Sequence, residues 1–201
     1  MAAPSEIEFG GNFSMRLEVI AALLACALVS FSVTGAGAQD DAVIEDSFSL
    51  VDMNDAEVTG ASYPGKHLLV FFGYTHCPAV CPMSLLFIGQ ALDLLGDDAG
   101  KVQALFVSID PSRDTPALLK QYVANFHPRI VGVTGTDAQV ANAARAYGVY
   151  YARVDTPDSL AGYLMDHSAA VYLVDADRRL IEIFGHGTDP EVMAGSIRRH
   201  F

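Results

Sequence analysis

The 201-residue chain carries 24 Asp and Glu against 12 Lys and Arg, a formal net charge of −12. That balance excludes a nucleic-acid partner, because no basic patch is present to neutralise phosphates. Once an N-terminal segment is set aside, about 160 residues remain, enough for one domain with its own apolar core.

Residues 15–38 read as an export signal or membrane anchor, which divides the chain into residues 1–38 and a domain of residues 39–201. Met15-Arg16 opens the segment, Val19–Val33 is its apolar stretch of 15 residues, and Ala36-Gly37-Ala38 fits a small-residue cleavage site. Fifteen residues are short for a membrane span, but counting on through Ala38 gives 20, which keeps an uncleaved anchor open. Leu23-Leu24-Ala25-Cys26 loosely resembles a lipoprotein box, although the apolar run continues past Cys26. The expected location is the periplasm or the outer face of the inner membrane. Cleavage after Ala38 removes Cys26 and leaves Cys77 and Cys81. Outside the cytoplasm, two thiols four positions apart pair with each other or share a metal. No Lys or Arg lies between Arg16 and Lys66, whereas Asp40, Asp41, Glu45, Asp46, Asp52, Asp55 and Glu57 do. That acidic run reads as a solvated face or as a docking surface for a basic partner.

Ser47 to Asp52 alternates like a strand, Asn54-Asp55 is a turn signal, and Ala56 to Thr59 reads as the returning strand. Pro64-Gly65 marks another turn. His67 to Phe72 reads as a strand whose residues after His67 are all apolar, the pattern of burial on both faces, and Gly73 breaks the run. Past Pro82, apolar residues at helical spacing predict a helix over 82–95, stopped by Gly96. Val102–Ile109 is a second buried strand. Thr115 is a good N-cap with Pro116 at the first helical position, so residues 116–126 are expected to be helix. Ile130–Val133 is a short strand, and Thr136 or Asp137 caps a helix to Tyr147, closed by Gly148. Val149–Val154 reads as an edge strand and residues 155–166 as a loop without clear periodicity. Ala169–Val174 and Leu180–Phe184 form a closing hairpin turned at 175–178, and Thr188 to Glu191 opens a terminal helix. The expected class is α/β: a thioredoxin-like central mixed sheet flanked by helices, with an extra N-terminal β-hairpin and a C-terminal β-hairpin plus helix.

Cys77 and Cys81 sit on the strand-to-helix turn, at or just before a helix N-terminus, where the thiolate is favoured. Two reactive sulfurs there suit redox work or a soft metal. A purely structural disulfide is the poorer reading, since so small a loop gains little chain entropy. His167, in Asp166-His167-Ser168, is 86 residues past Cys81 and is either an ordinary histidine or a ligand. His76 adjoins Cys77 and could tune it, while His127 and His186 carry no pattern. Arg113 and Asp114, between a strand end and a Thr-Pro helix start, are expected to tie down their loop rather than to touch a metal.

Phe72 to Pro82, Ser108 to Pro116 and Asp166-His167-Ser168 together resemble three signatures of the Sco/SenC proteins, in order and spacing, over roughly residues 45–201. The resemblance implies a thioredoxin-like, membrane-tethered or exported copper-binding protein that helps assemble the dinuclear copper centre of cytochrome c oxidase. It implies Cys77, Cys81 and His167 as copper ligands, with Cys77 and Cys81 able to form a redox disulfide. The implied partners are the copper-bearing oxidase subunit and a thioredoxin-like reductant. This chain has Ala79 where many members carry an Asp between the cysteines. Thiolates and imidazole select copper, zinc or iron over magnesium or calcium, in agreement with the resemblance. The leading expectation is a metallochaperone, a transfer protein rather than a turnover enzyme. Two rivals remain: a thiol–disulfide oxidoreductase acting on oxidase-subunit cysteines, and a thiol peroxidase with Cys77 attacking and Cys81 resolving.

Overall fold

The computed structural model describes Ile44 and residues 48–201; the expectations for residues 1–38 and for Ser47 lie outside the described residues. Seven strands form the main sheet: β1 (Ser49–Asp52), β2 (Glu57–Thr59), β3 (His67–Gly73), β4 (Val102–Ser108), β5 (Ile130–Thr134), β8 (Val171–Val174) and β9 (Leu180–Phe184). Their spatial order is β2-β1-β5-β4-β3-β8-β9. The central β3, β4 and β5 are parallel, while β1, β2, β8 and β9 join antiparallel. Each predicted hairpin therefore extends one edge of a parallel core.

Four helices are described: α1 (Val80–Leu95), α2 (Pro116–Val123), α3 (Asp137–Ala146) and α4 (Pro190–Arg198). Their starts follow local chemistry. Thr115, Thr136 and Asp189 each accept a backbone N–H from the first turn, and Pro116 and Pro190 stand where no helical N–H is needed. The pleat of β3 sends successive side chains to opposite helix layers. Phe72 meets Tyr147 at the end of α3, with ring centroids 5.3 Å apart. Phe71 stacks at 6.0 Å on Phe106, which in turn meets Tyr122 of α2 at 5.6 Å. Leu68 to Phe72 are all buried, which explains the unbroken apolar run. The stretch Val80–Lys101 is long and apolar enough to span a membrane, but Leu85, Ile88, Ala91 and Leu92 within it are buried in this core.

Two expectations are corrected. The edge strand at 149–154 and the loop at 155–166 are instead a two-stranded antiparallel ribbon, β6 (Tyr151–Thr156) with β7 (Gly162–His167), separate from the main sheet. Both strands are partly exposed, and β6 carries Arg153 and Asp155 on its exposed residues, so no clear apolar period marks the pair. His167 accordingly ends β7 instead of preceding β8. The second correction concerns α1, which begins at Val80, two residues early, and so takes Cys81 into its first turn.

Gly73 is the last residue of β3, and it also makes room. A Cβ there would lie 2.8 Å from Cys81 Sγ and 2.8 Å from Phe106 Cε2. The start of α1 is thus seated against bare backbone at the end of β3. Gly73→Ala is expected to destabilise the reduced protein by roughly 1–3 kcal/mol, because a closely packed contact must open. Urea unfolding monitored by circular dichroism checks this; a variant as stable as wild type shows that no such notch is needed.

Candidate metal centre

After β3 the chain turns through Tyr74, Thr75 and His76, and Cys77 N–H closes the turn on the Tyr74 carbonyl at 3.3 Å. The N-cap of α1 is Ala79, whose side chain offers no acceptor. The first-turn N–H of Cys81 goes instead to Cys77 Sγ, at 3.4 Å. A sulfur thereby takes the place of the usual capping oxygen. Cys77 is half-buried and Cys81 fully buried, both as free thiols.

His167 arrives on the ribbon, opposite Tyr151 in register. Its Nε2 lies 3.5 Å from Cys81 Sγ and its Nδ1 lies 3.0 Å from the Ser168 carbonyl. A carbonyl only accepts, so the neutral ring carries its proton on Nδ1 and turns the Nε2 lone pair to the sulfurs, the arrangement seen in metal-ligating histidines. Tyr74 and Phe71 meet the ring edge-on, at 6.0 and 6.2 Å. The donor atoms of Cys77, Cys81 and His167 all lie within 4.8 Å of one another, and among the described residues no other group of three or more His, Cys, Asp or Glu is so placed. The cluster opens into a pocket of about 340 Å³. Pro78, Ala79 and Val80 form one wall of it, and Val154, Leu164 and Met165 of the ribbon form the other.

His76, His127 and His186 are engaged elsewhere. His76 Nδ1 is 3.0 Å from Thr75 Oγ1 and 3.9 Å from Asp114. His127 pairs with Asp93 at 3.3 Å, and His186 lies 3.5 Å from Ser84 Oγ.

The two thiols have been driven apart. The hydrogen bond from Cys81 holds the Cys77 thiol down, to about 3, with burial opposing and the backbone N–H groups of Cys81 and Ala79 assisting. The same bond, together with burial, pushes Cys81 strongly upward. The pair therefore shares one proton: a thiolate at the pocket wall and a thiol beneath it. A thiolate is both nucleophile and soft ligand.

The loop before α2 lies behind this turn. Asp114, wholly buried, accepts from Thr75 N at 3.0 Å, Thr75 Oγ1 at 2.6 Å and Ser108 Oγ at 2.6 Å. Arg113 Nε donates to Asp110 Oδ2 at 2.5 Å. Both residues thus tie the loop down, as their place beside a Thr-Pro helix start implied. Sequence reasoning missed their partners, Thr75, Ser108 and Tyr163. Two of these lie inside the recognised signatures, which was the available signal, and Tyr163 lies in the ribbon mistaken for a loop.

Comparison with known proteins agrees with this geometry. The sequence profile of the SCO1/SenC family matches residues 36–201. The mitochondrial SCO2 homolog of Bos taurus is 38% identical over 161 residues, covering 79% of this chain and 60% of that protein's length. A SCO2-like protein of Rickettsia conorii is 34% identical over 160 residues, covering 80% of this chain and 78% of its own. The copper-bound structure of Bradyrhizobium japonicum ScoI superposes with a TM-score of 0.71 at 45% identity, over 77% of this chain and 97% of that one. Copper-bound yeast Sco1 gives 0.68 at 38% identity, over 76% and 85%. With the profile spanning the whole described domain, and the fold and motif order shared, this thioredoxin-like chain belongs to the SCO1/SenC family.

Proposed function

We propose that this chain is a copper metallochaperone, holding its cargo through Cys77, Cys81 and His167 and passing it to the cytochrome c oxidase subunit that bears the dinuclear copper centre. The observation that carries this reading is the convergence of two sulfurs and one imidazole nitrogen within 4.8 Å at the wall of an open pocket. Thiolate and imidazole are donors for copper. A structural zinc site closes with a fourth protein ligand, whereas three donors leave a position for a recipient's ligand. The copper-bound ScoI and Sco1 relatives support the choice of metal. In this reading residues 39–201 act outside the cytoplasm, behind an export signal or anchor in residues 1–38, and a thioredoxin-like reductant keeps the thiols open for loading.

A second reading, thiol–disulfide exchange, draws support from the asymmetry of the pair. An accessible thiolate above a buried resolving thiol is the arrangement of a dithiol reductant. Such an activity has no use for His167. A peroxidase is less favoured, since no guanidinium is among the principal groups that lower the Cys77 pKa.

The reduced full chain is expected to take up about one Cu(I), and the Cys77–Cys81 disulfide form very little, because disulfide sulfur is a poor ligand. Copper analysis after gel filtration reads this; equal uptake by the two forms sinks the metallochaperone reading.

His167→Ala is expected to weaken Cu(II) far more than Cu(I), to lose or shift the thiolate-to-copper charge-transfer band, and to leave disulfide formation intact. Titration of both oxidation states, followed by absorption and spin resonance, checks it. An unchanged Cu(II) spectrum moves the balance to thiol exchange.

Alkylation tests the shared proton. Cys77 of the reduced, metal-free protein should react with iodoacetamide nearly as fast at about pH 5 as at about pH 8, while Cys81 stays unlabelled until the chain unfolds. The lowered folded pKa also means that the thiolate stabilises the fold most above the unfolded thiol value of about 8.5, and that this contribution is lost as pH falls toward 3. A Cys77 rate that titrates near 8.5, by peptide mass spectrometry, contradicts the assignment.

A further inference from the structure

We propose that the loop from Asp110 to Thr115 is the positioning element of the copper site, and that Arg113 sets where β7 presents His167. The proposal rests on the reading of His167 as a copper donor.

The ribbon that carries His167 has no strand of the main sheet beside it. At its base, Ser168 N–H donates to the Tyr150 carbonyl and Tyr150 N–H to Ser168 Oγ. Along β7, the loop residue Arg113 holds it. Arg113 Nη1 donates to the carbonyls of Ala161 at 3.3 Å and Tyr163 at 3.2 Å. Its guanidinium carbon lies 3.6 Å from the centre of the Tyr163 ring. The Tyr163 hydroxyl donates to Asp110 Oδ1 at 2.8 Å, and the other oxygen of that carboxylate takes Arg113 Nε. Loop and ribbon thus close a three-residue ring of contacts.

The grip continues toward the ligand. Tyr163, Met165 and His167 share one face of β7 by strand alternation. The Arg113 guanidinium also lies 5.9 Å from the Tyr74 ring. The Tyr74 ring meets the His167 ring at 6.0 Å. One turn earlier in contact terms, Asp114 takes both the N–H and the hydroxyl of Thr75, two residues before Cys77. A single short loop therefore fixes the thiol turn with Asp114 and the imidazole arm with Arg113.

The Arg113 hydrogen bonds go to Asp110, Ala161 and Tyr163 and not to a sulfur, so its effect on copper passes through the ribbon. A lysine could keep the charge but could not hold Asp110 with one nitrogen and the two carbonyls with another, nor stack flat on Tyr163. Because Cu(I) is held by the thiolates and Cu(II) favours imidazole, a misplaced His167 should appear in Cu(II) alone.

The test is a double-mutant cycle on the full chain, using Arg113→Lys, His167→Ala and the pair. Arg113→Lys should weaken Cu(II) by about tenfold or more and shift its charge-transfer band and copper hyperfine splitting, while Cu(I) affinity stays within about twofold. In the His167→Ala background the same substitution should change neither ion's binding. Tyr163→Phe, which removes only the hydroxyl bond to Asp110, should shift the Cu(II) spectrum the same way by less, and it serves if Arg113→Lys does not fold. A wild-type Cu(II) spectrum in either folded variant, or an equal Cu(II) loss with and without His167, overturns the proposal. A wild-type Cu(II) spectrum in His167→Ala itself refutes the donor reading beneath it, whatever Arg113 does.

Discussion

The buried carboxylate of Asp114 is the constraint on which the geometry of the site depends. A carboxylate without solvent is strongly disfavoured unless hydrogen bonds replace the lost water. Asp114 has three such bonds, from Thr75 N, Thr75 Oγ1 and Ser108 Oγ. Ser108 ends β4, and Thr75 lies two residues past the end of β3. These strands are parallel neighbours with Gly73 opposite Ser108, so both chains leave the sheet at one edge, side by side. Parallel strands put their following loops together in this way, and a ligand site at that edge is the usual consequence. Asp114 turns the adjacency into a fixed distance. Loss of either hydroxyl would leave the buried charge short of a donor, a larger penalty than one ordinary hydrogen bond.

The asymmetry of the two thiols follows from how α1 is seated. Gly73 admits Cys81 Sγ against backbone and Phe106, so that sulfur is packed on all sides. Ala79 leaves the first turn of the helix without a side-chain acceptor, and the sulfur of Cys77 fills that role. Burial favours the neutral thiol at Cys81, and donated hydrogen bonds favour the thiolate at Cys77. An Asp at position 79 would compete as a helix cap and set a second negative charge beside the sulfur. With Ala at that position, the sulfur of Cys77 takes the capping N–H.

What the sequence disclosed and what it hid divide along physical lines. β3, α1 and β4 were legible because burial on both faces, or on one helical stripe, leaves a period in the apolar residues. The starts at Thr115-Pro116 and Thr136 were legible because caps are local chemistry. The β6–β7 ribbon was hidden: it is held through Arg113, 50 positions before the Tyr163 it bonds, and not by a buried face. Gly73 was read only as the break that ends the run, which it is, while its second role, space for a sulfur, left no mark. Arg178 was read as one residue of a turn. It stands at φ 65° and is buried, and its guanidinium reaches the carbonyls of Gly60, Tyr63 and Lys66, more than a hundred residues away. Cys77, Cys81 and His167 were named together only because three signatures were recognised at once, since a histidine 86 residues away bears no mark of its own.

The three donors are also mounted with unequal stiffness. Cys81 is locked under the end of β3 by close packing, and Cys77 is tied to the same helix start. His167 stands on a ribbon whose side chains are mostly half-exposed and whose attachment is polar and aromatic. Polar attachments at a surface give way more readily than a packed core. On the proposed reading this places the soft, permanent donors on the rigid element and the harder donor on the adjustable one. On that reading a Cu(I) ion would keep its two sulfurs when the arm relaxes, whereas Cu(II) would call on imidazole and so on the arm. The mechanical division between helix and ribbon then matches the chemical division between the oxidation states, and the Asp110–Thr115 loop is the element that touches both sides of it.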